Sequence, residues 1–251
     1  MKELGESFRA GLPLGRNVML LHVDENGVAA FNKPAGVLSH PNTREDEPRS
    51  LLTAHYDFDG EFFQWDDGGV ERRLWLLNRL DSATSGVILA AADETLAKEI
   101  RAEFKRRRIR KVYRAVVFGA PAIPAQFWRD TLTVERRGGM IRTGAGHIPC
   151  ETQMSLVRRG VPGPAQRSLL KLEPHTGRSH QLRVQCAKRH LPIVGDATYG
   201  DFRGNREFAR AMGTKRLFLH SEETIFRYEW KGRTWDFAAR APLPAEFEKA
   251  L

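Results

Sequence analysis

Short apolar runs rich in β-branched and aromatic residues recur along this chain between Gly, Pro, Asn and Asp turns, and few segments carry a helical period. That punctuation limits the fold more than any other feature. Residues 18–33 (VMLLHVDENGVAAFNK) read as two strands around a turn at Asp24-Glu25-Asn26-Gly27, because Asn-Gly accepts the positive φ angles of a tight hairpin. Residues 42–72, rich in acids, glycines and aromatics, are expected as a loop with a short helix inside it. Leu74 to Leu77 reads as a buried strand, followed by a loop at 82–86 (SATSG) and a strand in VILAAA. Asp93-Glu94-Thr95 offers a helix start, and Leu96 to Arg107 is amphipathic. Further strands are expected at 111–118, 131–134, 150–157, 168–173, 216–220 and 224–235, with a Gly-Pro turn at 160–164 and a strand or helix start in 177–190. Strands that do not alternate regularly with helices predict an α+β fold, with a mixed or largely antiparallel central sheet flanked by helices and loops.

With 251 residues, 41% hydrophobic and 28% charged, the chain can bury a substantial core. It has no apolar run of about 18 residues, so no membrane span is expected. Met1 to Arg16 lacks the apolar stretch of a secretory signal, and Cys150 and Cys186 are too few for a disulfide framework. A reducing cytoplasm is therefore the expected compartment. The net charge of +9 favours a polyanionic partner. Residues 101–114 (RAEFKRRRIRKVYR) hold one acid among many bases, which suits nearby phosphates better than a merely solvated helix face.

The sequence has no GxxxxGK[ST] phosphate loop, HExxH, CxxC pair or GxSxG elbow. His175, His180, Cys186 and His190 lie close together, but their spacing fits no common zinc pattern, so no metal or cofactor is expected. What remains is acids, bases and aromatics at strand ends. Asp81 follows an apolar strand, between Arg79 and a loop of small residues. A carboxylate beside an arginine stays ionised, as a nucleophile must. From position alone, an Asp capping the following loop is the plainer reading.

Several segments taken together reverse that preference. Asn78-Arg79-Leu80-Asp81-Ser82-Ala83-Thr84-Ser85-Gly86 resembles the RLDxxTSG motif of the RluA-type pseudouridine synthases. Asn32-Lys33-Pro34-Ala35-Gly36 resembles that family's KPxG loop, and Lys111-Val112-Tyr113-Arg114-Ala115, with Gly119 after it, resembles its KxYxA strand. Thr176 to Arg183 (TGRSHQLR) is similar to its TGRxHQxR segment, Pro192 to Gly200 (PIVGDATYG) to PIxGDxxYG, and Leu217-Phe218-Leu219-His220 to LxLH. The segments keep the family's order across residues 30–220.

The resemblance implies the pseudouridine synthase fold and an enzyme that isomerises uridine in ribosomal or transfer RNA without a cofactor. It implies Asp81 as the essential carboxylate, Tyr113 as the aromatic stacked on the target base, and Arg183 as the arginine paired with Asp81. Leu219 would line the base pocket and Arg79 would contact RNA. Arg107, Arg108, Arg110, Lys111, Arg178 and His180 are further candidate RNA contacts. The expected organisation is an N-terminal extension at 1–17 and one catalytic domain at 18–251, acting as a monomer and without the S4-type module of many relatives. Asn78 stands where this branch often has histidine, and Ser179 where threonine is commoner. The aspartate-rich loop at 57–67 has no place in the motif pattern. Two other functions compete: a catalytically silent RNA-binding or ribosome-assembly protein of the same fold, and a carboxylate hydrolase acting on nucleosides or sugars. The second would need another carboxylate at a set distance.

Overall fold

A computed structural model describes residues 11–137, 140–163 and 166–251. Residues 1–10 of the expected extension and Pro164 of the expected turn lie outside the described residues. The chain divides into two units, Met1–Ile109 with Glu223–Pro242, and Arg110–Glu222 with Leu243–Leu251.

The first unit opens on the expected hairpin, β1 (Met19–Val23) and β2 (Val28–Lys33). Asp24 fastens its turn, accepting from the amides of Asn26 at 3.0 Å and Val28 at 2.8 Å, while Gly27 supplies a φ of 87°. A short 3-10 helix (Arg44–Arg49) fulfils the expected helical piece of the next segment. Much of the rest of that segment is strand rather than loop. It is the antiparallel ladder β3 (His55–Asp57), β4 (Phe62–Asp67) and β5 (Val70–Leu76). Gly68 and Gly69, at φ 65° and 89°, turn β4 into β5, and Tyr56, Phe63 and Leu74 point into the interior. Acids on the exposed positions between them masked the alternation.

β6 (Ser85–Ala91) lies next to β2, with Phe31 opposite Ile88 and Lys33 opposite Gly86. All its residues are buried, which is why the run reads as continuously apolar. Helix α1 (Glu94–Lys105) starts at Asp93, whose side chain accepts from the Leu96 amide at 2.8 Å.

The second unit is built on β7 (Arg110–Phe118), β8 (Ala125–Arg137), β9 (Met140–Ala145), β10 (Ile148–Arg159) and β11 (Arg167–Pro174), in the antiparallel order β7-β11-β10-β8-β9. β9 was not foreseen, β8 runs well beyond its expected ends, and β10 matches its expected strand to within two residues at each end. The stretch 177–190 resolves as helix α2 (Gln181–Lys188). Helix α3 (Phe202–Met212) has no counterpart in the sequence reading. Asp201 caps it through the Gly204 amide at 2.9 Å, Gly213 ends it in the left-handed conformation, and of its amphipathic surface only Phe208 is fully buried. Phe208 packs with Val116, Leu169, Val194, Phe218 and Phe247, the last from α4 (Glu246–Lys249).

β12 (Leu219–Trp230) and β13 (Arg233–Arg240) form a hairpin that corrects the expected strand at 224–235. Lys231 and Gly232, at φ 48° and 72°, make the turn inside that stretch. In the first unit Phe226 and Phe237 complete a core with Val28, Val87, Leu89, Leu96 and Ile100. Burying each such side chain is worth roughly 1.5–3 kcal/mol.

Candidate active site

The candidate residues are divided between the units, Arg79 and Asp81 in the first and Tyr113, Arg183 and Leu219 in the second. Asp81 occupies the loop between β5 and β6, half-buried, with Leu80 buried before it and Thr84 buried after it. The backbone around it is fastened to the KPxG-like segment. The Ser39 hydroxyl donates to the Leu80 carbonyl at 2.7 Å and accepts from the Leu80 amide at 3.0 Å. On the other side, the Ser82 carbonyl accepts from the Gly36 amide at 2.8 Å and from Lys33 Nζ at 3.1 Å. Lys33 has no exposed surface and also donates to the carbonyls of Pro34 and Val37, at 3.1 and 2.7 Å. Gly36 holds a φ of 90° as the segment turns toward Ser82. Asp81 closes its own turn, its carbonyl accepting from the Thr84 amide at 2.9 Å. Asn78, in the position where histidine was noted as common, accepts from the Leu89 amide at 2.8 Å and ties the loop to β6.

In the second unit Tyr113 lies half-buried on β7, opposite Leu172 of β11. Arg183 lies on α2, and only 8% of it is exposed. Its guanidinium makes a two-pronged contact with Asp196, Nε to Oδ2 and Nη2 to Oδ1, both at 2.8 Å. Nη2 also reaches Thr198 Oγ1 at 3.2 Å, and the ring of Tyr199 lies 5.2 Å below the guanidinium carbon. Asp196 further accepts from the amides of Thr198 and Tyr199 at 2.9 and 3.0 Å. Burial works to raise its pKa, but Arg183 and the two amides outweigh it and hold the carboxyl below its ordinary value. The PIxGDxxYG-like segment is thus the cradle of the arginine, a role the sequence reading did not assign to Asp196.

The turn ahead of α2 is equally constrained. Gln181 accepts from Thr176 Oγ1 at 2.7 Å and the Arg178 amide at 3.1 Å, and donates to the Glu151 carbonyl and Thr152 Oγ1, both at 3.0 Å. His180 takes a left-handed φ of 56°, and its Nδ1 lies 2.9 Å from Tyr199 Oη. Arg178 is exposed on this turn, and Leu219 is 4% exposed at the start of β12.

The basic run is less bare than its sequence suggests. Its single acid, Glu103, pairs with Arg106 at 2.6 Å and Arg108 at 3.5 Å, and Arg110 pairs with Glu173 at 2.8 Å. Arg107 adopts a φ of 61°. Lys111 comes within reach of Gly177, where an added Cβ would meet its Nζ at 3.6 Å, and burial draws its ammonium down to about 8. Among the described residues, no group of three or more His, Cys, Asp or Glu is arranged to hold a metal ion. No helix among them is long and apolar enough to cross a membrane.

Residues 27–188 match the family described as RNA pseudouridylate synthase. The chain belongs to that family. It is 31% identical to the dual-specificity RNA pseudouridine synthase RluA of Escherichia coli (strain K12) over 236 residues, 92% of this chain and 94% of that protein. It is 29% identical to tRNA pseudouridine synthase C of Yersinia pestis over 235 residues, 90% of this chain and 87% of that one. In fold it is similar to human RNA pseudouridylate synthase domain containing 4, with a TM-score of 0.65, 20% identity, and coverage of 100% of this chain and 96% of that one. This RluA-type pseudouridine synthase is therefore an isomerase that acts on RNA.

Proposed function

We propose that this enzyme isomerises uridines in transfer or ribosomal RNA with Asp81 as its essential carboxylate and with no cofactor. The observation that carries the reading is the fastening of the main chain on both sides of Asp81, by Ser39 at Leu80 and by Lys33 and Gly36 at Ser82. A carboxylate on an immobile backbone presents its charge in one place and needs little reorganisation when opposite charge develops.

The chemistry needs few groups. The N1–C1′ bond breaks with its electron pair on the uracil, and the Asp81 carboxylate meets the positive charge growing on the sugar, as the carboxylates of glycosidases do. The uracil turns while held, C5 bonds to C1′, and the C5 proton leaves to Tyr113 or to water. Nothing is oxidised, and no atom is gained or lost overall. Tyr113 stacks on the extruded base, which offsets about 1–3 kcal/mol of the unstacking cost. Arg183 pairs with the carboxylate and Leu219 lines the base pocket. Arg79, Arg107, Arg108, Arg110, Lys111, Arg178 and His180 contact the RNA. The enzyme works as a monomer in the cytoplasm, with residues 18–251 as one catalytic domain. Support for these RNA classes comes from the names of relatives, one a tRNA enzyme and one of dual specificity.

The test is tritium release from RNA labelled at uracil C5. The unaltered enzyme frees the label without cutting the chain, and Asp81→Asn lowers the rate by about three orders of magnitude or more. Undiminished release by Asp81→Ala would overturn the role of Asp81. RNA binding without release by the unaltered protein would favour the silent RNA-binding function.

A further inference from the structure

The segment 57–67, which the motif pattern leaves without a purpose, places one carboxylate on the arginine two residues before Asp81. Glu61 stands at the entry to β4 with a φ of 54°, a conformation that glycine adopts freely and a glutamate adopts with strain. Its main chain is held there, the carbonyl accepting from the Leu76 amide and from Arg101 Nη2, both at 3.4 Å. Its side chain faces two arginines, with Oε1 3.6 Å from Arg79 Nη1 and Oε2 3.5 Å from Arg101 Nη2. The two partners differ in freedom. Arg101 is pinned by its Nε to the Leu76 carbonyl at 2.8 Å and its side chain is 25% exposed, whereas 56% of the Arg79 side chain is open to solvent.

We propose that Glu61 tunes RNA affinity: its carboxylate, anchored by Arg101, occupies the Arg79 guanidinium and makes an RNA phosphate compete for it. This rests on the functional reading above, in which Arg79 contacts the substrate. A loose ion pair at the surface is worth little in stability. It is therefore easily exchanged for a phosphate, and that suits a competitor better than a brace. RNA that docks with several contacts displaces Glu61 from Arg79 while Arg101 keeps the carboxylate close by. Any RNA that uses Arg79 gives up this ion pair on binding, so its affinity is lowered by what the pair is worth.

The experiment measures binding of a tRNA transcript and of poly(U) across a salt series, alongside tritium release. Glu61→Gln is expected to bind poly(U) about two- to fivefold tighter, the range that one exposed ion pair spans. The salt dependence steepens by about one counterion as Arg79 becomes available. Affinity for a transcript that is turned over rises by at least as large a factor, because any RNA that uses Arg79 is relieved of the same competition. Glu61→Gly, which fits the left-handed backbone, gives the same result and guards against a folding defect. In an Arg79→Gln background the effect of Glu61→Gln shrinks toward zero. Unchanged or weaker poly(U) binding by both Glu61 variants, or an effect undiminished without Arg79, overturns the proposal. Failure of the unaltered protein to release tritium from any RNA would instead remove the functional reading beneath it.

Discussion

Asp81 and Arg183 are held by opposite means. The Asp81 loop is fixed through its main chain by Lys33, Gly36 and Ser39, while Arg183 is fixed through its guanidinium by the Asp196 carboxylate. The difference matters for what each side chain can lose. A residue gripped by its backbone can be exchanged without loosening its scaffold. One gripped by its charged end cannot.

The comparison breaks most sharply at Asp196. Asp196→Asn removes the two-pronged carboxylate partner of a buried guanidinium, and denaturant unfolding should show a loss of about 3 kcal/mol. The pH dependence has a definite sign. Because the folded carboxyl titrates below the unfolded value of about 3.9, the pair's contribution is intact above that pH and is lost as pH falls through the lowered folded pKa. Stability of the native protein and of Asp196→Asn should therefore converge in acid. Convergence in alkali instead would show that another group is responsible.

Lys33→Met comes next. It leaves the carbonyls of Pro34, Val37 and Ser82 without their ammonium donor, at a cost of about 2–3 kcal/mol, and should lower turnover as the Asp81 loop loosens. Ser39→Ala removes a hydroxyl that serves both the amide and the carbonyl of Leu80. A loss of about 1–2 kcal/mol is expected, with kcat falling more than KM rises. The smallest effect sharpens the contrast. Asp81→Asn should change stability by no more than about 1 kcal/mol, because Arg183 keeps Asp196, while abolishing tritium release. A large stability change there would mean that the side chain helps to hold the loop after all. Lys111 offers a separate check, because its charge is given up near pH 8. RNA affinity should weaken as pH rises through that value, and Lys111→Arg should flatten the profile.

What the sequence made legible was local. The hairpin at Asp24 to Gly27, the helix opened by Asp93 and the strand carrying Tyr113 each announce themselves within a few residues, through turn chemistry, capping or alternation. β3, β4 and the start of β5 stayed hidden because their buried Tyr56 and Phe63 stand among acids, whereas the end of β5 was legible as Leu74 to Leu77; α3 is amphipathic and capped, and went unexpected all the same. The motif residues of the site were legible as types in order. Their holders were not: Ser39 meets Leu80 41 positions away, Lys33 meets Ser82 49 positions away, and Arg183 meets Asp196 13 positions away. Such partnerships follow from tertiary folding and leave no period or spacing to read. Glu61 was visible only as one acid in a segment without a purpose.

Lys33 has a consequence outside catalysis. A primary amine sealed from water cannot meet an acylating reagent, so covalent tagging at this position has to wait for the loop to open. The pace of that tagging, set against the fast reaction of surface lysines, would act as a clock for how often the enzyme lets go of its own carboxylate loop.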